Sequence, residues 1–252
     1  MKHHDKDALS GIDRYFTIVM QHLEHVLASQ RSVMERVAVL WAETIHQDHL
    51  IYVFGSGHSR YIAGELFFRA GGLGAVMLID DPAEGMAERV EGYAANFMGK
   101  YDIQPGDLLV VASQSGINPV PIEVALEGKR MGAAVLAVTS LAHSQVVQSR
   151  HSSGHKLYEV SDIVLDTMVP KGDAVVELPN SGWRVSPVST IISVAILNAI
   201  VAQTACNLED LGTLPPVFVS ANLPEGDVHN QQVVKKYWQR LARFPMLNIQ
   251  SG

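Results

Sequence analysis

Two short runs of small and hydroxyl-bearing residues each follow a strand-like apolar segment. Gly55-Ser56-Gly57-His58-Ser59 comes after Ile51-Tyr52-Val53-Phe54, and Ser113-Gln114-Ser115-Gly116 comes after Leu108-Leu109-Val110-Val111-Ala112. A phosphate monoester needs several short donors and a backbone that lets it come close. Ser59, Ser113, Gln114, Ser115 and Thr139 offer the donors, and Gly55, Gly57 and Gly116 offer the close approach. Each run also leads into an expected helix, whose N-terminal amides and dipole favour an anion. Serine and glycine fill strand-to-helix turns without any ligand as well. Two such turns at one sheet edge, rather than one, point to a shared anion cradle.

The elements that must position these loops follow from periodicity. Over 13–46, apolar residues including Ile18, Leu23, Val26, Val33, Val37, Leu40 and Trp41 recur at helical spacing and predict one or two helices. Strand and helix patterns then alternate: strands near 50–54, 74–79, 108–112, 133–138 and 162–166, with helices over 59–70, 86–98 and 118–130. That alternation predicts a parallel sheet with helices on both faces. Ligands of such sheets bind beyond the carboxyl ends of the strands, where both loops and Thr139-Ser140 fall. Residues 167–187 read as a long loop, a length usually tied to function. A helix over about 188–207 is apolar almost all round and should be buried on more than one side, and a last helix is expected over about 227–243. No linker divides the 252 residues, so the expectation is one domain over 1–252 with N-terminal helices about 10–46.

Composition narrows the classes of function. The net charge is -7, which argues against a bulk grip on nucleic acid. The one cysteine, Cys206, excludes an internal disulfide framework or a multi-cysteine metal cluster. Eleven histidines are scattered without metal-site spacing, so no metal and no cofactor is expected. No run approaches the roughly 18 uninterrupted apolar residues of a membrane span. A cytoplasmic protein without membrane or nucleic-acid partners is the expectation.

The runs Phe54-Gly55-Ser56-Gly57-His58-Ser59 and Ala112-Ser113-Gln114-Ser115-Gly116 resemble the signature loops of the SIS (sugar isomerase) domain family, over about residues 45–205. The resemblance implies a three-layer α/β sandwich, with a five-stranded parallel sheet between helices, usually in dimers, that binds phosphosugars. Members include phosphoheptose isomerase, the isomerase half of glucosamine-6-phosphate synthase, N-acetylmuramic acid 6-phosphate etherase and sugar-sensing regulators. Carried over by position, Ser59, Ser113, Gln114 and Ser115 would hold the phosphate. Where many relatives place a threonine after the second serine loop, this chain has Asn118, whose amide can also donate. The stretches His151-Ser152-Ser153-Gly154-His155-Lys156-Leu157, Gly172-Asp173-Ala174, Ser220-Ala221-Asn222 and Gly226-Asp227-Val228-His229-Asn230 resemble a single-domain branch of phosphosugar isomerase-like proteins, nearly end to end.

Aldose–ketose isomerisation needs a base to move a proton between adjacent carbons, and a second group to open the ring or shuttle a hydroxyl proton. Glu65 stands roughly where phosphoheptose isomerase has a catalytic glutamate, while Glu84 and Glu88 follow the second strand, the segment that supplies the base in synthase-type relatives. Each is otherwise an ordinary solvated carboxylate. His229 is the first choice for the second group, since relatives use a C-terminal histidine, sometimes from the neighbouring subunit. His58 is the alternative, and Lys171 and Arg184 stand in the long loop where they could cover a ligand. Three readings follow: an isomerase or related etherase-type lyase, a non-catalytic phosphosugar sensor, and a nicotinamide oxidoreductase. The last is motivated by Gly55-x-Gly57 and Asp80-Asp81, but Arg60 stands where the dinucleotide fingerprint requires glycine or alanine. The all-round apolar helix over 188–207 and the apolar N-terminal helices together predict a homodimer or larger assembly.

Overall fold

The computed structural model describes residues 9–224 and 226–241. The chain opens with α1, Gly11–His46, a single helix. Ser10 caps it, its hydroxyl accepting from the Asp13 amide at 3.1 Å, and an acidic first turn suits the helix dipole. Val19, Val26, Met34, Val37, Trp41 and Ile45 recur on its buried side.

Five strands follow: β1 Ile51–Gly55, β2 Val76–Ile79, β3 Leu108–Ala112, β4 Ala134–Thr139 and β5 Ile163–Asp166. They form one sheet in the order β2-β1-β3-β4-β5, and every pairing is parallel. β1 and β3 are buried at every position, as central parallel strands covered on both faces must be. The order reverses at β1: β2 lies on one side of it and β3 on the other. The register pairs Gly55 with Ala112 and Thr139 with Asp166, so the strand ends are level and their loops leave along one edge.

Helices cover the sheet in two groups. The short α2, Arg60–Leu66, packs with α7, Ser189–Asp210, which packs in turn on α1. On the other side α3, Ala95–Met98, and α6, Leu157–Val160, pack against α4, Pro119–Arg130. A one-turn helix α5, Leu141–Ser144, follows β4, and α8, Gly226–Leu241, contributes Val233, Val234 and Tyr237 to the same core as the strands. Residues 242 and 243, to which the last helix was expected to run, lie outside the described residues. α7 is long and apolar enough to cross a membrane by length and composition. Here Ile192, Ile196, Leu197 and Ile200 are buried, and the helix packs between α1 and α2.

Three expectations need correction. The helix over 59–70 ends at Leu66, because Phe67 is extended and Phe68 takes a positive φ of 45°. The helix over 86–98 is mostly a chain of tight turns, closed by bonds such as Glu88 N to Gly85 O and Val90 N to Ala87 O, and only Ala95–Met98 is helical. Gly85 and Gly92 interrupt the helix with positive φ, and the Glu123 carboxylate captures the Gly92 and Ala94 amides. The long loop contains an antiparallel hairpin, β6 Ala174–Glu177 with β7 Arg184–Pro187.

Candidate functional site

A cleft of about 310 Å³ opens at the carboxyl edge of the sheet, at the switch point between β1 and β3, where ligands of open α/β sheets bind. That volume suits a small metabolite. Its lining draws Ser56, His58 and Ser59 from the loop after β1, Ser113, Gln114, Ser115 and Asn118 from the loop after β3, and Glu88 from the turns after β2. The two serine loops therefore meet in one cavity. Their glycines keep the backbone tight. A Cβ on Gly55 would lie 2.2 Å from the Ser59 carbonyl oxygen, and Gly116 turns with φ of 59° against Thr139 and Leu157.

The polar side chains divide into those tied to the protein and those left open. Ser56 Oγ donates to Asp81 Oδ2 at 2.7 Å, and the same carboxylate accepts from the Ala83 and Gly85 amides. The Gln114 amide nitrogen donates to Ser193 Oγ at 2.9 Å, while its oxygen accepts from Thr167 at 2.8 Å. Gln114 thus braces its loop against α7 and the residue that follows β5. Ser113 Oγ accepts weakly from the Gly116 amide at 3.3 Å and keeps its own proton available. Asn118 Oδ1 accepts from Arg150 at 2.7 Å, leaving its amide nitrogen to donate. Ser59 and Ser115 line the cleft with hydroxyls that make no bond among the described residues. α4 opens behind Asn118 on Pro119 and Pro121, which have no N–H, and the Val120 amide is given to the Glu88 carbonyl at 3.3 Å, so this helix end offers its dipole and no free amide.

Thr139, expected among the donors, is fully buried and gives its hydroxyl proton to the Gln114 carbonyl at 3.2 Å. It supports the loop from beneath and does not line the cleft. Of the three glutamates, the cleft takes Glu88. Its Oε2 sits 3.4 Å from where a Cβ on Gly57 would be, and its carboxylate has no hydrogen-bond or ion-pair partner among the described residues. Glu65 pairs with Arg69 four residues on, along the chain leaving α2. Glu84 accepts from Arg60 at 2.6 Å on the exterior. His229 sits on α8, its Nε2 2.8 Å from the Val217 carbonyl. Val217 bridges Leu73, ahead of β2, so His229 lies toward the opposite end of the strands from its own chain's cleft. Arg184 faces Glu177 across the hairpin at 3.5 Å.

Four lining residues escaped the sequence reading, Ile62, His143, Ser189 and Thr190, and Gly172 and Asp173 entered it only within a resembling stretch, with no role assigned. Asp173 accepts from the Val188 and Ser189 amides and from Ser189 Oγ, at 2.6–3.0 Å, and so fixes the start of α7 beside the cleft. Its place in a Gly-Asp turn before a long apolar helix was a usable signal. His143 is half-buried; burial first, and Lys171 second, hold its imidazole below the ordinary histidine range, against a smaller opposing pull from Asp173. No lysine or arginine is among the residues lining the cleft. An anion here meets hydroxyls, the Asn118 side-chain amide and the dipole of α4. Asp81, the residue a dinucleotide site would offer to a ribose, is buried and already holds three donors.

The SIS domain model matches residues 14–140, which include both serine loops. The chain belongs to the SIS domain family. A UPF0309 protein of Geobacillus kaustophilus is 40% identical over 91% of this chain and 95% of its own length. A UPF0309 protein of Listeria monocytogenes is 38% identical over 93% and 99%. Two solved structures share the fold at 17% identity. Phosphoheptose isomerase GmhA from Neisseria gonorrhoeae has a TM-score of 0.53, covering 77% of this chain and 97% of that one. The Vibrio vulnificus NanR protein complexed with ManNAc-6P has a TM-score of 0.51, covering 91% and 69%. The five-stranded parallel sheet between helices is thus the SIS fold, and its serine loops stand at the switch point.

Proposed function

We propose that the cleft binds a phosphorylated sugar or amino sugar and that the chain interconverts its aldose and ketose forms, with Glu88 as the base. The observation that carries this reading is the pairing of an open carboxylate, Glu88, with the unbonded hydroxyls of Ser59 and Ser115 in one cavity. The phosphate would take hydrogen bonds from Ser59, Ser113, Ser115 and the Asn118 amide, in the potential of the α4 N-terminus, with His58 beside them. Glu88 would then face the sugar carbons. Its carboxylate takes the proton from C2, and that bond's electron pair forms C1=C2 as the carbonyl pair moves onto O1. The glutamic acid returns the proton to C1 while the hydroxyl proton passes from O2 to the neighbouring O1, giving the ketose. Similarity in fold to a phosphoheptose isomerase and to a protein solved with ManNAc-6P supports a phosphosugar ligand.

The chain is read as one folding unit that self-associates. Ile12, Phe16, Met20 and Leu27 form an exposed apolar stripe on α1, and Arg14 and Tyr15 on that helix bond the hairpin backbone at Glu177 and Pro187. A second copy of the chain is the occupant we assign to this stripe.

The reaction is tested by deuterium exchange. The protein is incubated in D2O with hexose, hexosamine and heptose phosphates, and NMR reads deuterium entering C1 or C2. Exchange into one substrate that disappears in Glu88→Gln and persists in Glu65→Gln is the expected result. Binding without exchange anywhere in the panel would make the chain a phosphosugar sensor instead.

A further inference from the structure

The order of the strands sets Glu88 and His143 on either side of the serine loops. Glu88 follows β2, the loops follow β1 and β3, and His143 follows β4, the next strand over. A ligand whose phosphate lies over the loops therefore lies between a carboxylate and an imidazole, and both residues line the same cleft. The imidazole is also free to act. Neither ring nitrogen of His143 has a partner among the described residues, whereas His22, His46, His151 and His229 are each bonded at the ring to a carbonyl or hydroxyl oxygen. His58, the other histidine of the cleft, is exposed and lies edge-on to Tyr61 at 5.0 Å. The short helix that carries His143 is well fixed. Ser140 caps it, accepting from the His143 amide at 3.1 Å and donating to the Val169 carbonyl, and Asp166 accepts from the Leu141 amide at 3.0 Å.

We propose that His143 is a second catalytic residue of this site: its neutral imidazole donates an N–H to the sugar oxygen on which charge develops when Glu88 removes the carbon-bound proton. This rests on the isomerase reading above. The balance is simple. Glu88 takes the C2 proton, the pair forms C1=C2, the carbonyl pair becomes the O1 oxyanion, and the His143 N–H bonds to that oxyanion without leaving nitrogen. A neutral donor suits the task, because a preorganised hydrogen bond stabilises an oxyanion that the ground-state carbonyl only foreshadows. The environment disfavours the charged ring: it is half-buried, Lys171 opposes a second positive charge, and Asp173, which would favour one, is engaged with Val188 and Ser189. The remaining charged group of the cleft lining, Glu88, is the base itself. His229, taken from the sequence as the second group, is bonded to Val217 away from its own chain's cleft.

The test uses two probes on the intact protein: inorganic phosphate, and a five-carbon phosphorylated hydroxamate whose ionised head mimics the enediolate. His143→Phe keeps a flat ring and removes the donor, and His143→Gln restores an N–H. The expected result is at least a tenfold loss of hydroxamate affinity in His143→Phe, recovery to within about threefold in His143→Gln, and unchanged phosphate affinity in both, in line with the usual effect of a lost oxyanion donor. Nitrogen-15 NMR should also find the His143 ring neutral in the hydroxamate complex. Wild-type hydroxamate affinity in His143→Phe overturns the proposal, and so does an equal loss for both probes, which would mean that the ring only shapes the cleft. If the wild-type protein binds neither probe, the phosphosugar reading itself has failed.

Discussion

Gly85 lies backbone against backbone on Gly57: a Cβ built on Gly85 would fall 2.4 Å from the Gly57 Cα and 2.6 Å from its nitrogen. Two strand-end segments, one carrying Glu88 and the other the first serine loop, are thereby held at a separation that a side chain at position 85 would not permit. Gly85 also has φ of 91°, which a side chain disfavours. Gly85→Ala should push the Glu88 segment off the loop. We expect kcat to fall more than tenfold and the protein to lose about 1–3 kcal/mol of stability, measured by steady-state kinetics and urea unfolding.

A second tie between the same segments is the buried Ser56–Asp81 hydrogen bond. Because its acceptor is a carboxylate, Ser56→Ala should cost about 1.5–3 kcal/mol. Chemical denaturation checks the magnitude, and a change below about 0.5 kcal/mol would show that the bond does not anchor the turns.

At the far end of the strands, Asp107 is fully buried and accepts from the Leu50 and Gln104 amides and from Arg240 on α8. Removing it would strand the Arg240 charge in a largely buried place. Asp107→Leu should therefore lower stability by about 3–5 kcal/mol, seen as a fall in Tm, while the cleft some distance away keeps its affinity for phosphate.

The pH profile carries its own sign. Burial and Lys171 lower the His143 pKa, so the neutral ring needed as a donor persists below the ordinary imidazole range of about 6.5. Activity should fall on the acid side only beneath that range. Lys171→Gln removes a charge that disfavours the imidazolium, raises the His143 pKa, and should move the acid limb of kcat/KM to higher pH. An unmoved limb would assign it to another group.

Much of this was legible in the residues. The central strands are short apolar runs bounded by turn residues, so β1, β3 and β4 and the serine loops at their ends could be placed almost to the residue, and level strand ends made a shared cavity a natural consequence. Side-chain direction was not legible. Nothing in the spacing says that Thr139 turns beneath the Gln114 carbonyl, that Gln114 reaches Ser193, or that Glu65 turns to Arg69, because each choice is made by a partner remote in sequence or by local geometry. The turns at 81–94 were hidden for a similar reason: their amides are captured by Asp81 and by Glu123, the latter about thirty residues away. His143 was passed over because a lone histidine on a four-residue helix has no periodic signal.

Self-association is checked by light scattering. The exposed stripe of Ile12, Phe16, Met20 and Leu27 should make the wild-type chain a dimer or larger, and Phe16→Asp with Met20→Asp should yield a folded monomer. A monomeric wild type contradicts the assignment.

The central claim is that the loops after β1 and β3 jointly hold the phosphate of a sugar. Isothermal titration calorimetry of the same panel of sugar phosphates against wild type and the Ser113→Ala, Ser115→Ala double variant tests it most directly. The account predicts that at least one sugar phosphate binds the wild type, and that the folded double variant binds it more than tenfold more weakly, since each hydroxyl gives a charge-assisted bond worth about 1.5–3 kcal/mol. Equal affinity in the two proteins would contradict it.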